Sequence, residues 1–171
     1  MKPIFDNSPL LRKGFVNQAK LWEWLRSLEP QLEPETWNGE ITKTGRLHCW
    51  FGVAVSLGMR STKSVGLEIS TGLRTRTDKL WGGEDWNSIL VLKYPPGTKL
   101  DTHCDREIFD KRTIVINASR DDLFGSGTKF FYGGDIHNLQ NGEVVEFDNS
   151  VAHGVRRVDC DRFSVSIRKV L

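Results

Sequence analysis

From residue 87 to the C-terminus the chain reads as short β runs broken by turn residues, and this pattern limits the fold more than any other feature. The runs are SILVLKY (88–94), KLDTHCD (99–105), RTIVINA (112–118), TKFFY (128–132), GEVVEF (142–147), AHGVRRV (152–158) and RFSVSIRKV (162–170). Pro95-Pro96-Gly97, Ser126-Gly127, Gly133-Gly134 and Asn141-Gly142 separate them, and the last suits a tight hairpin. Seven short strands spaced by about ten residues argue for a β-sandwich, jelly roll or barrel.

Upstream, residues 18–28 carry Leu21, Trp22, Trp24, Leu25 and Leu28, a spacing that gives a helix one apolar face. Glu29-Pro30 ends it, Pro34 keeps the next stretch irregular, and the tryptophans read as core. Residues 57–85 are polar and Gly-rich and read as a long connection or a mobile cover. No linker or repeat marks a boundary, so one domain over 1–171 is expected, with 1–86 as support and possible substrate lid and 87–171 as core.

Composition removes several classes. At 38% apolar and 27% charged the chain is that of a soluble globular protein. No apolar run approaches the ~18–20 residues needed to span a bilayer, and residues 1–14 lack the apolar stretch of a signal peptide. A net charge of +2 announces no polyanion partner. Cys49, Cys104 and Cys160 form no CxxC pair and read as reduced thiols, so a cytoplasmic location and no membrane partner are expected. A monomer is expected.

Chemistry concentrates in three places. Alternation puts His103 and Asp105 on one face of a strand and Cys104 on the other, and His153 opens a later strand. Two imidazoles and one carboxylate with open positions are what non-haem Fe(II) oxygenases use, although Mn, Co, Ni or Zn fit the same donors. Arg162 follows, with Ser164 and Arg168 on its own face. A guanidinium inside a β core calls for an anion. A dicarboxylate with one end on the metal and the other on Arg162, helped by the Tyr94 hydroxyl, meets that call. The bland reading is a surface His beside a solvated Asp, with arginines facing water from an edge strand.

Taken together, these residues resemble the AlkB family of 2-oxoglutarate- and Fe(II)-dependent dioxygenases. Tyr94-Pro-Pro-Gly97 through His103-Cys-Asp105 is similar to that family's N-x-Y-x-x-G…H-x-D segment, with Leu92 where the family has Asn. Arg162-Phe-Ser164-Val-Ser166-Ile-Arg168 resembles its R-x-N-x-T-x-R strand, with Ser164 in place of Asn. The order of Phe130–Gly134, Asn141–Phe147 and His153-Gly154 also matches, and Trp86-Asn87 and Gly45–Gly52 extend the likeness upstream.

The resemblance implies a mainly β fold with flanking helices (α+β), a double-stranded β-helix or jelly roll with an N-terminal helix packed on one face. It implies His103, Asp105 and His153 as iron ligands, and Tyr94, Arg162, Ser164 and Arg168 around 2-oxoglutarate. Glu107 and Trp50 would meet the substrate. The cofactors would be Fe(II), 2-oxoglutarate and O2. The implied reaction is oxidative demethylation of N-alkylated bases in DNA or RNA.

Arg74, Arg76, Lys79, Arg106, Lys111 and Arg112 would supply a phosphate track for such a partner. The alternative is a hydroxylase of a small molecule or protein side chain. A reading of another class is a β-sandwich binding module or cupin-like metal protein without redox chemistry. Hydrogen bonds to the ring nitrogen turned away from the metal should fix the tautomers of His103 and His153. His137 reads as a surface loop residue, His48 as core or strand edge, and Cys104 as a buried small hydrophobe.

Overall fold

The computed structural model describes residues 8–120 and 127–171. The expectations for residues 1–7, and for Ser126 in its turn, lie outside the described residues. The first half holds β1 (Leu11–Phe15), α1 (Gln18–Ser27), β2 (Glu33–Pro34), β3 (Thr36–Trp37), β4 (Glu40–Ile41), β5 (Leu47–Ser56), β6 (Thr62–Val65) and α2 (Thr71–Trp81). The second holds β7 (Ser88–Tyr94), β8 (Leu100–His103), β9 (Phe109–Ser119) and β10 (Thr128–Tyr132). It closes with β11 (Asp135–Leu139), β12 (Glu143–Asp148), β13 (His153–Val155) and β14 (Arg162–Val170).

Among the described residues, a large antiparallel sheet runs β1-β12-β9-β14-β7-β5-β2, with β6 also on β5. A smaller sheet runs β11-β10-β13-β8, and β3 and β4 form a separate hairpin. This is a jelly roll. β14 is held between β7 and β9, so Arg162 lies opposite Tyr94 on one side and Ser119 on the other. The expected runs 88–94, 128–132 and 162–170 appear unchanged. The run expected over 152–158 narrows to His153–Val155.

Alternation sorts the large sheet into two environments. Phe163, Val165 and Ile167 join Ile89, Val91, Ile114 and Ile116 on the outer face, against Leu21, Leu25 and Trp81 of the helices. Burial of each such side chain contributes about 1.5–3 kcal/mol. The inner face carries Tyr94, Val115, Val145 and Phe147, which pack on Phe130, Tyr132, Leu139 and Val155 of the small sheet. A cavity of about 810 Å³ is lined from both sheets.

α1 starts at Asn17, whose side chain accepts the Lys20 N–H at 2.9 Å, and gives way to a turn containing Pro30. The stretch 57–85 is more ordered than its composition suggests. It forms β6 and α2, the latter capped by Ser70, whose hydroxyl accepts the Leu73 N–H, and closed by Gly82 at φ 77°. Only Leu73, Thr77, Leu80 and Trp81 of α2 turn inward, so its apolar face is too thin to show in a polar run. The sheet also reaches upstream of residue 87, because β5 pairs β7 and β1 pairs β12. Among the described residues no helix is long and apolar enough to cross a membrane.

Candidate metal centre and anion pocket

β13 and β8 place His153 directly opposite His103, with ring centroids 4.6 Å apart. The two backbones meet closely at Gly154, where a Cβ would stand 2.7 Å from the Leu100 carbonyl oxygen and 3.0 Å from the Thr102 nitrogen. Any larger residue there would push the two histidine strands apart. His103 Nδ1 lies 2.8 Å from the Asp101 carbonyl oxygen, and His153 Nδ1 lies 2.7 Å from that of Val151. Carbonyls only accept, so each Nδ1 carries a proton, and in the neutral ring each Nε2 is left with its lone pair.

Both Nε2 atoms face Asp105 Oδ1, at 3.1 and 3.2 Å. A ring nitrogen this close to a carboxylate oxygen needs a proton or a metal ion between them, and these three groups form one donor cluster. Ligand atoms each about 2.1 Å from one ion at right angles lie about 3 Å apart, so the set fits a single metal ion. Burial works against charge on Asp105, but Arg168 and the two imidazoles outweigh it and hold its carboxyl well below the usual carboxylate range. His103 is also opposed by burial, yet hydrogen bonding to Asp105 and the Asp101 carbonyl raises it.

β8 ends at His103, so strand alternation does not carry on to residue 105. Asp105 is instead held by its own N–H, which donates to the Asn149 carbonyl at 2.9 Å. Asn149 is buried and donates through Nδ2 to the Asp110 carbonyl and to Thr113 Oγ1. The same turn corrects the expectation for Cys104, which is exposed and lines the cavity.

Arg162 lines the same cavity and is only 2% exposed. Its Nε donates to Asn117 Oδ1 at 2.8 Å, and its central carbon sits 4.6 Å from the Tyr94 ring centroid. Nη1 is buried and has no hydrogen-bond acceptor among the described residues. Burial lowers Arg162 from its ordinary value, while Tyr94 opposes that shift through its charge and a side-chain hydrogen bond. A buried guanidinium with an unmet donor is the expected partner of an anion that enters the cavity. Arg46 lies 5.6 Å from the same Tyr94 ring, pairs with Glu35, and donates through Nη1 to the Lys99 carbonyl at 3.1 Å.

Ser164, Arg168 and Trp50 also line the cavity; Arg168 pairs with Asp105, and Trp50 stacks on Phe109 at 6.4 Å. Glu107 does not line it. The residue is exposed, on the turn after Asp105. His137 belongs to β11 rather than to a loop, and His48 is half-buried on β5 outside the cavity.

Of the six basic residues named for a phosphate track, Arg106 lines the cavity and the other five do not. Arg74 lies over Trp86, and Arg112 pairs with Glu146 and donates to the Trp81 carbonyl. The helix bearing Arg74, Arg76 and Lys79 packs on the outer face of the large sheet, opposite the cavity.

Asn117, Asn149 and Arg46 escaped the sequence reading. The signal for Asn117 is a lone amide inside the apolar run Thr113–Ala118, which has to find partners once buried.

No family model and no curated protein sequence matches this chain. Solved structures do. A prolyl-4-hydroxylase from Pseudomonas putida matches with TM-score 0.68 at 17% identity, over 95% of this chain and 92% of that one. A prolyl hydroxylase from Trichoplax adhaerens, in complex with a hypoxia inducible factor oxygen degradation domain peptide fragment, matches with TM-score 0.65 at 11% identity. That match covers 94% of this chain and 83% of the other.

The 2OG complex of a viral collagen prolyl hydroxylase from Paramecium Bursaria Chlorella virus-1 matches with TM-score 0.58 at 13% identity, over 99% and 100%. The chain shares its jelly roll with the prolyl hydroxylases. At such low identity the likeness is one of fold, and these three relatives are not the AlkB enzymes whose motifs the sequence resembles.

Proposed function

We propose that the protein is an Fe(II)- and 2-oxoglutarate-dependent hydroxylase of a protein side chain or a small molecule. One observation carries the reading. A single cavity joins the donor cluster His103, Asp105 and His153 to a buried guanidinium, Arg162, whose Nη1 has no acceptor among the described residues. A keto-diacid has the two ends that such a cavity would hold. Bound together, iron and 2-oxoglutarate supply oxidation of a C–H bond by O2, with 2-oxoglutarate leaving as succinate and CO2.

In this reading the chain's own residues bind and orient. His103 and His153 present Nε2, because the Asp101 and Val151 carbonyls hold the proton at Nδ1. Asp105 presents Oδ1, while its Oδ2 takes the Arg168 guanidinium, which keeps the carboxylate charged and fixed. Arg162 and Tyr94 take the far carboxylate, Asn117 holds Arg162 in place, and Ser164 lines the space beside it. Leu92 and Val115 line the same space and exclude water from it.

Demethylation of N-alkylated DNA or RNA uses the same machinery, but the basic helix α2 lies across the sheet from the cavity. Peptide-bearing and collagen-directed relatives favour the side-chain reading. The test is succinate formation with Fe(II), ascorbate and 2-oxoglutarate across a panel of peptides, amino acids and methylated oligonucleotides. Succinate that depends on a peptide or small molecule, and is lost in His153→Ala, supports the proposal. No succinate above the His153→Ala control on any substrate overturns it, and formaldehyde from the oligonucleotides alone would return the demethylase reading.

A further inference from the structure

Arg106 follows Asp105 directly, and its guanidinium carbon lies 4.9 Å from the centre of the Trp37 ring. Trp37 sits on the β3–β4 hairpin, 41% exposed, and both side chains line the cavity that holds the metal-ligand cluster. The hairpin is anchored there: the Asn38 N–H donates to the Leu57 carbonyl at 3.0 Å, and Asn38 Oδ1 accepts the Met59 N–H at 2.7 Å. Trp37 is therefore a fixed platform rather than a loose side chain.

The carboxylates that line the cavity are already engaged. Glu35 pairs with Arg46, Asp101 with Lys99, and Asp105 with Arg168 and both imidazoles. Among the described residues Arg106 belongs to no such pair, and Lys43, on the same cavity wall, has none either. A guanidinium held over an indole keeps its in-plane N–H donors available, and their fork matches the two oxygens of a carboxylate. Arg162 cannot serve this end of the cavity, because Asn117 and Tyr94 hold it at the buried end.

We infer that Arg106, oriented by Trp37, reads a carboxylate on the molecule to be oxidised. The inference rests on the hydroxylase reading and names its substrate class: an acidic peptide segment or a free carboxylic acid. A nucleic acid would need a row of free cations, whereas of the cations on this wall without a carboxylate partner only Arg106 is held over a ring, Lys43 stands beside it, and Arg157 donates to the Gly97 carbonyl.

The test uses wild-type protein, Arg106→Gln and Trp37→Leu, each loaded with Mn(II) and 2-oxoglutarate. The probes are a pool of capped peptides rich in Asp and Glu, the matched Asn/Gln pool, N-acetyl-aspartate with N-acetyl-glutamate, and an oligonucleotide carrying 1-methyladenine. Wild-type protein should bind the acidic probes at least ten-fold more tightly than the amide pool. Arg106→Gln should erase that preference, and Trp37→Leu should reduce it.

Preference for the acidic peptides alone assigns a peptide, and equal preference for the N-acetyl acids assigns a small molecule; both support the inference. Equal binding of acid and amide pools, a preference that survives Arg106→Gln, tightest binding of the oligonucleotide, or no binding of any probe overturns it. Calorimetry of 2-oxoglutarate on the same samples separates the two readings. Its failure in wild-type protein sinks the hydroxylase reading, whereas normal 2-oxoglutarate binding without the acidic preference sinks only this one.

Discussion

Asn117 accepts the Arg162 Nε–H at 2.8 Å, and Asn117 Nδ2 is itself tied to the Leu139 and Gln140 carbonyls at 3.2 and 3.1 Å. The Arg162 guanidinium is thus fixed through one amide to the end of β11 and the residue after it. Asn117→Leu removes the acceptor and leaves a charged donor buried. We expect a loss of about 1.5–3 kcal/mol in stability, seen as a lower urea midpoint. The affinity for 2-oxoglutarate should fall several-fold while Mn(II) affinity stays within two-fold. Unchanged 2-oxoglutarate affinity would mean that Arg162 needs no such anchor.

Arg162 should be a burden on the ligand-free fold. It is buried, burial lowers its pKa, and Nη1 has no acceptor among the described residues. Replacing a buried charge by an apolar side chain of similar volume is often stabilising, by about 1–4 kcal/mol. Arg162→Met is therefore expected to raise the urea midpoint of the protein without ligands. A lower midpoint would show that Arg162 holds the core together.

Metal should bind to a site that is already shaped. The Asp101 and Val151 carbonyls orient both imidazoles, and Asn149 holds the Asp105 backbone. EDTA treatment should leave the far-UV circular dichroism unchanged. Adding Mn(II) at one hundred times its Kd should then stabilise the fold by about 2.7 kcal/mol. Asp105→Ala should abolish that gain. Collapse of the dichroism in EDTA would show that the metal builds the site rather than filling it.

His48 supplies a pH test. Burial lowers its pKa from 6.5, against the opposing pull of Glu35 and Glu33, and its Nδ1 has no partner among the described residues. The unfolded chain then takes up the proton first. The stability that His48 contributes is complete above pH 6.5 and is lost as pH falls from there toward the folded-state pKa. His48→Leu should lose less stability than wild type between pH 7 and 5. Parallel curves for the two proteins would remove His48 from the account.

The legible parts of this molecule were those where alternation meets burial. β14 alternates strictly because one face meets the helices and the other the cavity, and β7 is a short apolar run closed by Pro95-Pro96, so their limits and the shared face of Arg162, Ser164 and Arg168 are readable directly. The spacing of His103, Asp105 and His153 pointed to one cluster, and the structure brings them together.

What escaped depends on long-range partners. Alternation hides Cys104 only if the strand runs past His103, and it stops there. Asn117 and Asn149 look ordinary until the backbone groups they satisfy are known. Helix α2 hides behind a polar surface, because its inward residues are few. The Trp37 platform under Arg106 joins segments far apart in sequence, so nothing local announces it.

If one keto-diacid is held between the metal cluster and Arg162, calorimetric titration of 2-oxoglutarate into Mn(II)-loaded protein reads both ends of that grip. Wild-type protein should bind. Loss of a buried charge partner costs about 2–5 kcal/mol, so Arg162→Met should bind at least about thirty-fold more weakly. Asp105→Ala, which loses the metal end, should weaken binding comparably. Binding by Arg162→Met as tight as wild type would contradict the account.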